Sequence, residues 1–319
     1  MSAPVLAPIA LIVNPAAARA QPGLRGAVTA ALAPLGLEWV LPTGAPGEAG
    51  ELAASACAQG AGLVVALGGD GTVAQVAAAA AGAGVAMAPV AAGGANVFAR
   101  ALGWPAPNDA GPELLVAAIT SASLRTIVLG SVRAGGEERP FVINAGVGVD
   151  ADTVHWVEER PAAKRRLHDG AFAIGVTLAT ARASVQKPHL GVSVDGGPAG
   201  RYGALAVATG SPYTYLGPWA VNMLPPAAFD GRLAWLALRR VTPWSMGRAV
   251  AGGLGRGRHL GRRAFAGGTA RTIEVAADRP VALQADGEPL GRHREIALGR
   301  GPALRTVVPA LKSEGAAPN

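Results

Sequence analysis

The sequence predicts an α/β domain with a doubly wound parallel sheet, followed by a β-rich, antiparallel sandwich domain. Three observations lead to this fold class. The chain has 319 residues, which suffices for two domains that each bury a core. Up to about residue 125, short apolar runs alternate with helical segments, which is the pattern of a parallel sheet. Beyond that point, short strands separated by turn residues dominate, which is typical of antiparallel sheets.

The first domain is predicted to alternate strands and helices from its first apolar run. APIALIVNP at 7–15 is a buried strand closed by Asn-Pro, and a helix follows at about 23–35. The next strands are LEWVLP at 37–42, GLVVAL at 62–67 and GVAMAPV at 84–90. The next helices are GEAGELAASACAQG at 47–60, VAQVAAAAA at 73–81, NVFARALG at 96–103 and PELLVAAITSA at 112–122.

The second domain is predicted to contain short strands and one longer helix, AFAIGVTLATARASV at 171–185. The strands are RTIVLGSVRA at 125–134, RPFVINAGVGV at 139–149, HLGVSVDG at 189–196, GALAVATG at 203–210, GRLAWLALRR at 231–240, RTIEVAA at 271–277 and VALQADGEPLG at 281–291. We expect domains at 1–128 and 129–299, with residues 300–319 able to pack back onto the first. Ligand sites favour domain interfaces, so we expect the site in the cleft between them.

The composition limits the class to which this protein can belong and the kinds of partner that it can bind. Half of the residues are apolar and 15% are charged, which excludes a disordered chain. The single cysteine, Cys57, excludes an intramolecular disulfide and a cysteine-rich metal site. Lys and Arg exceed Asp and Glu by 28 − 21 = 7. This positive net charge favours binding partners such as nucleic acid, anionic membranes or phosphorylated small molecules. Residues 231–273 contain nine arginines and no acid, which indicates either a solvated basic face or an anion-facing surface.

The sequence GGDGT at 68–72 joins a predicted buried strand to a helix. Glycines there let the backbone approach a ligand closely, and amides at a helix N-terminus favour phosphate. A tight structural turn is the alternative. A dinucleotide fingerprint is excluded because no Asp or Glu occurs between Gly71 and Asn108. A P-loop is excluded because no Gly-Lys-Ser/Thr follows.

Six motifs in order carry a family resemblance over about residues 8–308. They are NPAAAR at 14–19, GGDGT at 68–72, AAGGANVFARALGWP at 91–105, FVINAGVGVDADTV at 141–154, YTYLGPWAVNMLPPAAFDGRLAWLAL at 213–238 and VALQADGEPLG at 281–291. Together they resemble the diacylglycerol kinase catalytic domain, whose fold bacterial lipid kinases, sphingosine kinases and, more distantly, NAD kinases share. The resemblance is strongest to the soluble bacterial lipid kinases.

The resemblance implies transfer of the γ-phosphate of ATP, with Mg²⁺, to a lipid hydroxyl, with diacylglycerol giving phosphatidic acid. It implies that the nucleotide is held by Asn14, Thr43, Gly68, Gly69, Asp70, Gly71, Thr72, Gly93, Gly94 and Asn96. The general base would be Asp286 or Glu288, a type of residue that can accept the proton of an attacking hydroxyl. Asp70 would lie near Mg-ATP and Asp230 would organise a structural Mg²⁺. Apart from the resemblance, Asp286-Gly287 fits a hairpin turn.

One position departs from the family pattern. Relatives carry a threonine in the second glycine motif where this chain has Gly94. A lost hydrogen bond to a charged group is worth about 1.5–3 kcal/mol. We therefore expect ATP binding to be weaker by about tenfold or more, with the identity of the site unchanged.

The arginine-rich segment 239–263 is predicted to make a peripheral membrane contact, because it mixes arginine with Trp244 and other apolar residues. The expected location is the cytoplasm, at the inner membrane face, and the chain could form a homodimer. Nucleic acid is not expected, since the Gly-Arg run lacks interleaved aromatics. The alternatives are a soluble acceptor such as NAD, another lipid such as sphingosine, or binding without catalysis. Against NAD, Asn96 is followed by Val97 and not by the glutamate that NAD kinases typically carry.

Overall fold

The computed structural model of the chain describes residues 6–105, 111–160, 169–254 and 263–309. The chain forms two compact units, Met1–Ile127 with Ala303–Asn319, and Val128–Pro302. The predicted fold class is confirmed: parallel strands in the first unit are followed by a largely antiparallel, β-rich second unit.

The first unit contains a parallel sheet of strands that run in the order β4-β3-β1-β2. These are β1 (Ile9–Val13), β2 (Leu37–Pro42), β3 (Leu63–Gly68) and β4 (Ala86–Ala91). Every residue of β1 and β3 is buried, as expected for central strands of a parallel sheet, which helices cover on both faces. The end of the last strand, β16 (Glu288–Val307), pairs in parallel with β4 through Thr306 and Met87.

The helices of the first unit follow its strands as predicted. They are α1 (Pro22–Leu32), α2 (Glu48–Ala58), α3 (Asp70–Ala83), α4 (Val97–Ala101) and α5 (Pro112–Thr120). The first helix ends three residues early and continues as a 3₁₀ turn at Ala33–Leu35, because Pro34 cannot continue an α-helix. Helix α3 begins at Asp70, three residues before the expected start. GGDGT is therefore the end of a strand and the first turn of a helix, and not a free loop.

The second unit contains an antiparallel sheet in the order β14-β13-β10-β7-β15-β16. Strand β5 pairs with β16 and β6, β8 pairs with β15 and β9, and β11 forms a separate hairpin with β12. The strands are β5 (Leu124–Ala134), β6 (Glu137–Phe141), β7 (Asn144–Val147), β8 (Leu190–Val194), β9 (Gly200–Tyr202), β10 (Ala204–Ala208), β11 (Thr214–Leu216), β12 (Trp219–Val221), β13 (Leu233–Leu238), β14 (Phe265–Ala270) and β15 (Ile273–Ala285).

Three helices belong to the described part of this unit: α6 (Val149–Glu158), α7 (Asp169–Ser184) and α8 (Pro243–Leu254). Only α7 is predicted by the sequence. The strand predicted to reach residue 149 ends at Val147, and Gly148 (φ +86°) turns the chain into α6. Helix α8 contains three glycines, which lower its helix propensity and made it difficult to predict. No helix in the described residues is both long and apolar enough to cross a bilayer.

Candidate active site

The two glycine motifs of the first unit meet backbone to backbone. A Cβ atom placed on Gly93 would lie 2.6 Å from the Cα of Gly69, so a side chain there would force the two segments apart. The Ala92 N–H donates to the carbonyl of Gly68 at 2.8 Å, which fixes the register of the contact. Close backbone approach is the physical reason for glycine at these positions. It also places two sets of main-chain groups at the carboxyl edge of a parallel sheet, where α/β folds bind ligands.

Gly68 is required by the side chain of Thr72, one turn into α3. A Cβ on Gly68 would lie 2.6–2.8 Å from the atoms of that side chain. The buried Thr72 hydroxyl accepts a hydrogen bond from Asn14 Nδ2 at 3.0 Å, and Asn14 Oδ1 accepts the N–H of Ala16 at 3.0 Å. This side-chain bond connects the NPAAAR segment after β1 with the first turn of α3. Gly71 lies within that same turn.

Asp70 joins the start of α3 to the start of α4. Its carboxylate accepts the N–H of Phe98 at 3.4 Å, and the amides of Asn96 and Val97 also face it. Burial raises the pKa of Asp70, whereas these amides and the nearby Arg100 guanidinium lower it; burial is the larger effect. The carboxylate is thus a partly desolvated group that is held by main-chain donors.

The second glycine motif is closed by the side chain of Asn96. Its Oδ1 accepts the Gly93 N–H and its Nδ2 donates to the Gly93 carbonyl, both at 2.8 Å. Asn96 itself adopts a left-handed conformation (φ 48°, ψ 48°) that asparagine tolerates better than most residues. The Gly93 carbonyl also accepts Arg19 Nη1 at 2.9 Å. By contrast, a Cβ on Gly94 would meet no atom within 4 Å.

Thr43 lies directly after β2, at the same edge of the sheet. Its N–H donates to the carbonyl of Val13 at 2.8 Å. The predicted nucleotide residues of the first unit therefore all lie at or just after the carboxyl ends of strands β1 to β4. The structure brings Asn14, the 68–72 motif and the 93–96 motif into direct contact and places Thr43 on the neighbouring strand.

In the second unit, Asp286 occupies the two-residue turn of the β15–β16 hairpin. Asp286 and Gly287 both have positive φ (50° and 81°), and Ala285 pairs with Glu288, so this is the hairpin turn that the residues themselves suggested. The Asp286 carboxylate also reaches the segment between β6 and β7. It accepts the N–H groups of Val142 (2.6 Å), Ile143 (2.7 Å) and Asn144 (3.1 Å).

A buried polar network that sequence analysis missed supports this hairpin. Gln284 Oε1 accepts the N–H of Gly287 at 2.9 Å, and Gln284 Nε2 donates to Asp150 Oδ2 at 2.6 Å. The same Asp150 oxygen accepts the Tyr213 hydroxyl at 2.9 Å, and Gln284 Nε2 also contacts Asn144 Oδ1 at 3.2 Å. Burial raises the pKa of Asp150, and burial followed by the charge of Asp150 raises that of Tyr213. The signal in the sequence was Asp150, which lies within the motif FVINAGVGVDADTV but was not singled out.

The remaining predicted residues lie at the surface of the second unit. Glu288 is exposed at the first position of β16. Asp230 is exposed and forms an isolated β-bridge with Val128, and its Oδ1 accepts the N–H of Arg232 at 2.9 Å. Over the ranges that the structure describes, no group of three His, Cys, Asp or Glu side chains is close enough together to hold a metal ion. Arg256, Arg258 and Arg262 of the predicted membrane segment lie outside the described residues.

Comparison with known proteins identifies both halves of the chain. Residues 8–132 match the family described as diacylglycerol kinase catalytic domain. Residues 144–311 match the YegS C-terminal NAD kinase beta sandwich-like domain. No match was found among curated proteins.

Solved structures with the same fold include two from Bacillus anthracis str. Sterne. One, provisionally assigned as a diacylglycerol kinase, has a TM-score of 0.69 at 18% identity; the other, a diacylglycerol kinase, has 0.63 at 18%. Each match covers 94% of this chain and 96% of the other. An NAD kinase from Archaeoglobus fulgidus in complex with ATP has a TM-score of 0.52 at 14% identity and covers 94% of both chains. The chain belongs to the diacylglycerol kinase catalytic-domain family, with the NAD kinase-like β-sandwich as its C-terminal domain.

Proposed function

We propose that this protein is an ATP- and Mg²⁺-dependent lipid kinase that transfers the γ-phosphate of ATP to a hydroxyl of diacylglycerol, giving phosphatidic acid. The observation that carries the proposal is the backbone contact of Gly69 with Gly93, at the carboxyl edge of the parallel sheet. A site built from main-chain groups at helix starts suits phosphate, because amide N–H groups neutralise negative charge without side chains. Family membership supports phosphoryl transfer as the reaction.

In this proposal the first unit holds ATP. Amides of the 68–72 and 93–96 motifs would face the phosphates, and Asn14, Thr72 and Thr43 would border the nucleotide. Asp70 fits a role beside Mg-ATP, since Mg²⁺ sites in kinases use one or two carboxylates together with substrate phosphates. The bound ion would supply neutralisation of the phosphate charge. The structural Mg²⁺ proposed at Asp230 rests on the family alone, because one exposed carboxylate provides few ligands.

Asp286 and Glu288 are the proposed acceptors of the proton that the attacking lipid hydroxyl loses. Both belong to the β15–β16 hairpin, Asp286 in its turn and Glu288 at the first position of β16. Three main-chain N–H groups orient the Asp286 carboxylate, which gives it a defined direction before any substrate binds. The Glu288 side chain is exposed, so a lipid substrate that approaches from solvent can reach it. Either carboxylate can serve as the general base.

The test is transfer of label from γ-labelled ATP, with Mg²⁺, to micellar diacylglycerol, monoacylglycerol, ceramide and sphingosine, with NAD as a soluble acceptor. NAD is included because the fold is shared with an NAD kinase that binds ATP. The Asp286→Asn/Glu288→Gln double variant is the negative control, and its melting temperature and affinity for ATP are measured in parallel.

Label on diacylglycerol that the folded double variant fails to transfer would support the proposal. Label on NAD alone would replace the lipid with a soluble acceptor. ATP binding with no labelled acceptor would point to a protein that binds nucleotide without turnover, and Gly94 would then be the first residue to change.

A further inference from the structure

Helix α8 presents Trp244 and two other large apolar residues to solvent and its small residues to the core, while Met246 is partly buried against the core. Its buried positions are Ser245, Ala249 and Gly253, which recur every four residues. The opposite face carries Trp244, which is 74% exposed, Leu254 at 48% and Val250 at 37%. An ordinary surface helix has the reverse arrangement, with the large apolar residues inside. This helix therefore keeps an apolar stripe that the fold itself does not bury.

The start of this helix is fixed, so the exposed stripe has a defined direction. The Thr242 N–H donates to Ser245 Oγ at 2.9 Å, and the Ser245 N–H donates to Thr242 Oγ1 at 3.0 Å. This reciprocal pair is a capping box with serine at the third position, and Pro243 occupies the first helical position. Trp244 directly follows the proline and is held at the first turn, with the Arg248 guanidinium 5.5 Å from its ring centre.

The hairpin β11–β12 packs on the last turn of α8 and carries a second exposed tryptophan. A Cβ on Gly253 would lie 3.0 Å from Val221 Cγ1, so the last turn of α8 packs directly on β12. The Asn222 N–H donates to the Gly253 carbonyl at 3.0 Å and fixes this contact. Side chains two residues apart project from the same face of a strand, which places Trp219 on the face that Val221 presents to the helix. Trp219 is 68% exposed.

Positive charge lies close to this surface along the chain. Arg239, Arg240 and Arg263 are exposed near the two ends of the connection that contains α8, and no acidic residue occurs anywhere in 231–273. Tryptophan favours the boundary between water and lipid, and arginine is attracted to anionic headgroups. Exposed apolar residues that occur singly need no explanation, but several on one helix face beside a second tryptophan form a patch.

We propose that the surface formed by Trp219, Trp244, Val250 and Leu254 docks on an anionic lipid bilayer, with the nearby arginines facing its headgroups. Charge complementarity favours a bilayer over a second copy of this chain, because a second copy would bring the same acid-free arginines together. The inference rests on the proposed function in one respect, since a lipid kinase must reach an acceptor that resides in a membrane. Vesicle binding is nevertheless measured without ATP and without catalysis.

The test is flotation of the full-length protein with vesicles of phosphatidylcholine alone or mixed with phosphatidylglycerol. The Trp219→Ser/Trp244→Ser/Leu254→Ser variant removes the patch, and Arg240→Gln/Arg263→Gln reduces the charge. Val185→Ser is the matched control, because Val185 is 87% exposed but belongs to a different segment. Thermal melting confirms that each variant is folded, and size-exclusion chromatography with light scattering reports its oligomeric state.

We expect the wild type and Val185→Ser to float with phosphatidylglycerol vesicles and the patch variant to lose about tenfold or more in affinity, or ~1.4 kcal/mol. The arginine variant should bind more weakly, with a smaller dependence on salt. Equal binding by the patch variant, equal binding to pure phosphatidylcholine, or no binding by the wild type would overturn the proposal. Loss of a dimer in the patch variant with unchanged flotation would assign the surface to a second copy.

Transfer to a short-chain, water-dispersed diacylglycerol separates this inference from the proposed function. If the patch variant retains that activity and loses it only on vesicles, both proposals hold. If no acceptor is labelled but flotation depends on the patch, the docking surface stands and the proposed reaction fails.

Discussion

Replacing Gly94 with threonine should strengthen ATP binding. A Cβ at this position meets no atom within 4 Å, and the backbone φ of Gly94 lies outside the left-handed region that only glycine adopts readily. The side chain can therefore be added without displacing a neighbour. The family resemblance directs the threonine hydroxyl of this motif toward the phosphates, which are charged acceptors.

The expected gain follows from the hydrogen bond that the hydroxyl would restore. A hydrogen bond to a charged group contributes about 1.5–3 kcal/mol, which corresponds to about a 10- to 150-fold lower Kd. A threonine also adds a β-carbon and a methyl group, which contribute to packing. Gly94→Ala adds the β-carbon without the hydroxyl, so the effect of the hydrogen bond is the difference between Gly94→Thr and Gly94→Ala.

The assay is isothermal titration calorimetry with a non-hydrolysable ATP analogue and Mg²⁺. The adjacent glycine provides a contrasting variant, because a Cβ on Gly93 would lie 2.6 Å from the Cα of Gly69. This contact is between main-chain atoms, which cannot move apart without a cost in free energy. Gly93→Ala should therefore lose nucleotide affinity and about 1–3 kcal/mol of folding stability. Two neighbouring glycines are thus expected to respond to added carbon in opposite directions.

Two results would refute this reasoning. If Gly94→Thr binds the analogue no more tightly than Gly94→Ala, phosphate does not pass within reach of position 94. The second glycine motif would then not be a phosphate loop. If Gly93→Ala folds and binds as the wild type does, the backbone contact with Gly69 is not a constraint, and the observation that carries the proposed function loses its force.

Three further predictions concern side chains in and near the site. Asn14→Ala and Thr72→Val should couple by about 0.5–1.5 kcal/mol in a double-mutant cycle measured by urea unfolding, and additive effects would contradict their hydrogen bond. Burial raises the pKa of Asp150, so its ionised form costs stability once the pH exceeds the ordinary value of about 3.9. Asp150→Asn should therefore melt above the wild type by a margin that widens as the pH rises from about 4, whereas a constant margin would exclude this origin. Asp286→Asn should lower the unfolding free energy measured in urea by about 1–3 kcal/mol, because an amide NH₂ would oppose a main-chain N–H, and an unchanged value would contradict these hydrogen bonds.

The sequence predicted the first unit well because its signals are local. Strands β1 and β3 are continuous apolar runs, which are typical of strands that are buried on both faces of a parallel sheet. Glycine or Asn-Pro follows each run, so strand ends were visible within a few residues. The glycine motifs were also found from local sequence, because several glycines between a predicted strand and a predicted helix can be recognised without knowledge of the fold.

The contacts that build the site could not be predicted, because they join distant segments. Nothing in residues 68–72 shows that Gly69 will touch Gly93, or that Asp70 will face the start of α4. Helix α8 was missed for a different reason. Its glycines and exposed Trp244 obscure the apolar periodicity, although Thr-Pro-x-Ser at its start is a helix signal.

Two of the three aspartates that the sequence singled out, Asp70 and Asp286, share a feature that changes how their mutation should be interpreted. The Asp70 carboxylate faces the consecutive amides of Asn96, Val97 and Phe98, and the Asp286 carboxylate accepts those of Val142, Ile143 and Asn144. Each acid therefore holds a segment that is distant in the sequence. Phe98 lies 28 residues after Asp70, and the segment bound by Asp286 lies at least 142 residues before it. Because each carboxylate orients main-chain groups, its removal would disturb the site even if it took no part in chemistry. A lost activity in Asp70→Asn or Asp286→Asn therefore counts as catalytic only when kcat falls by more than the measured loss of folding and nucleotide binding explains.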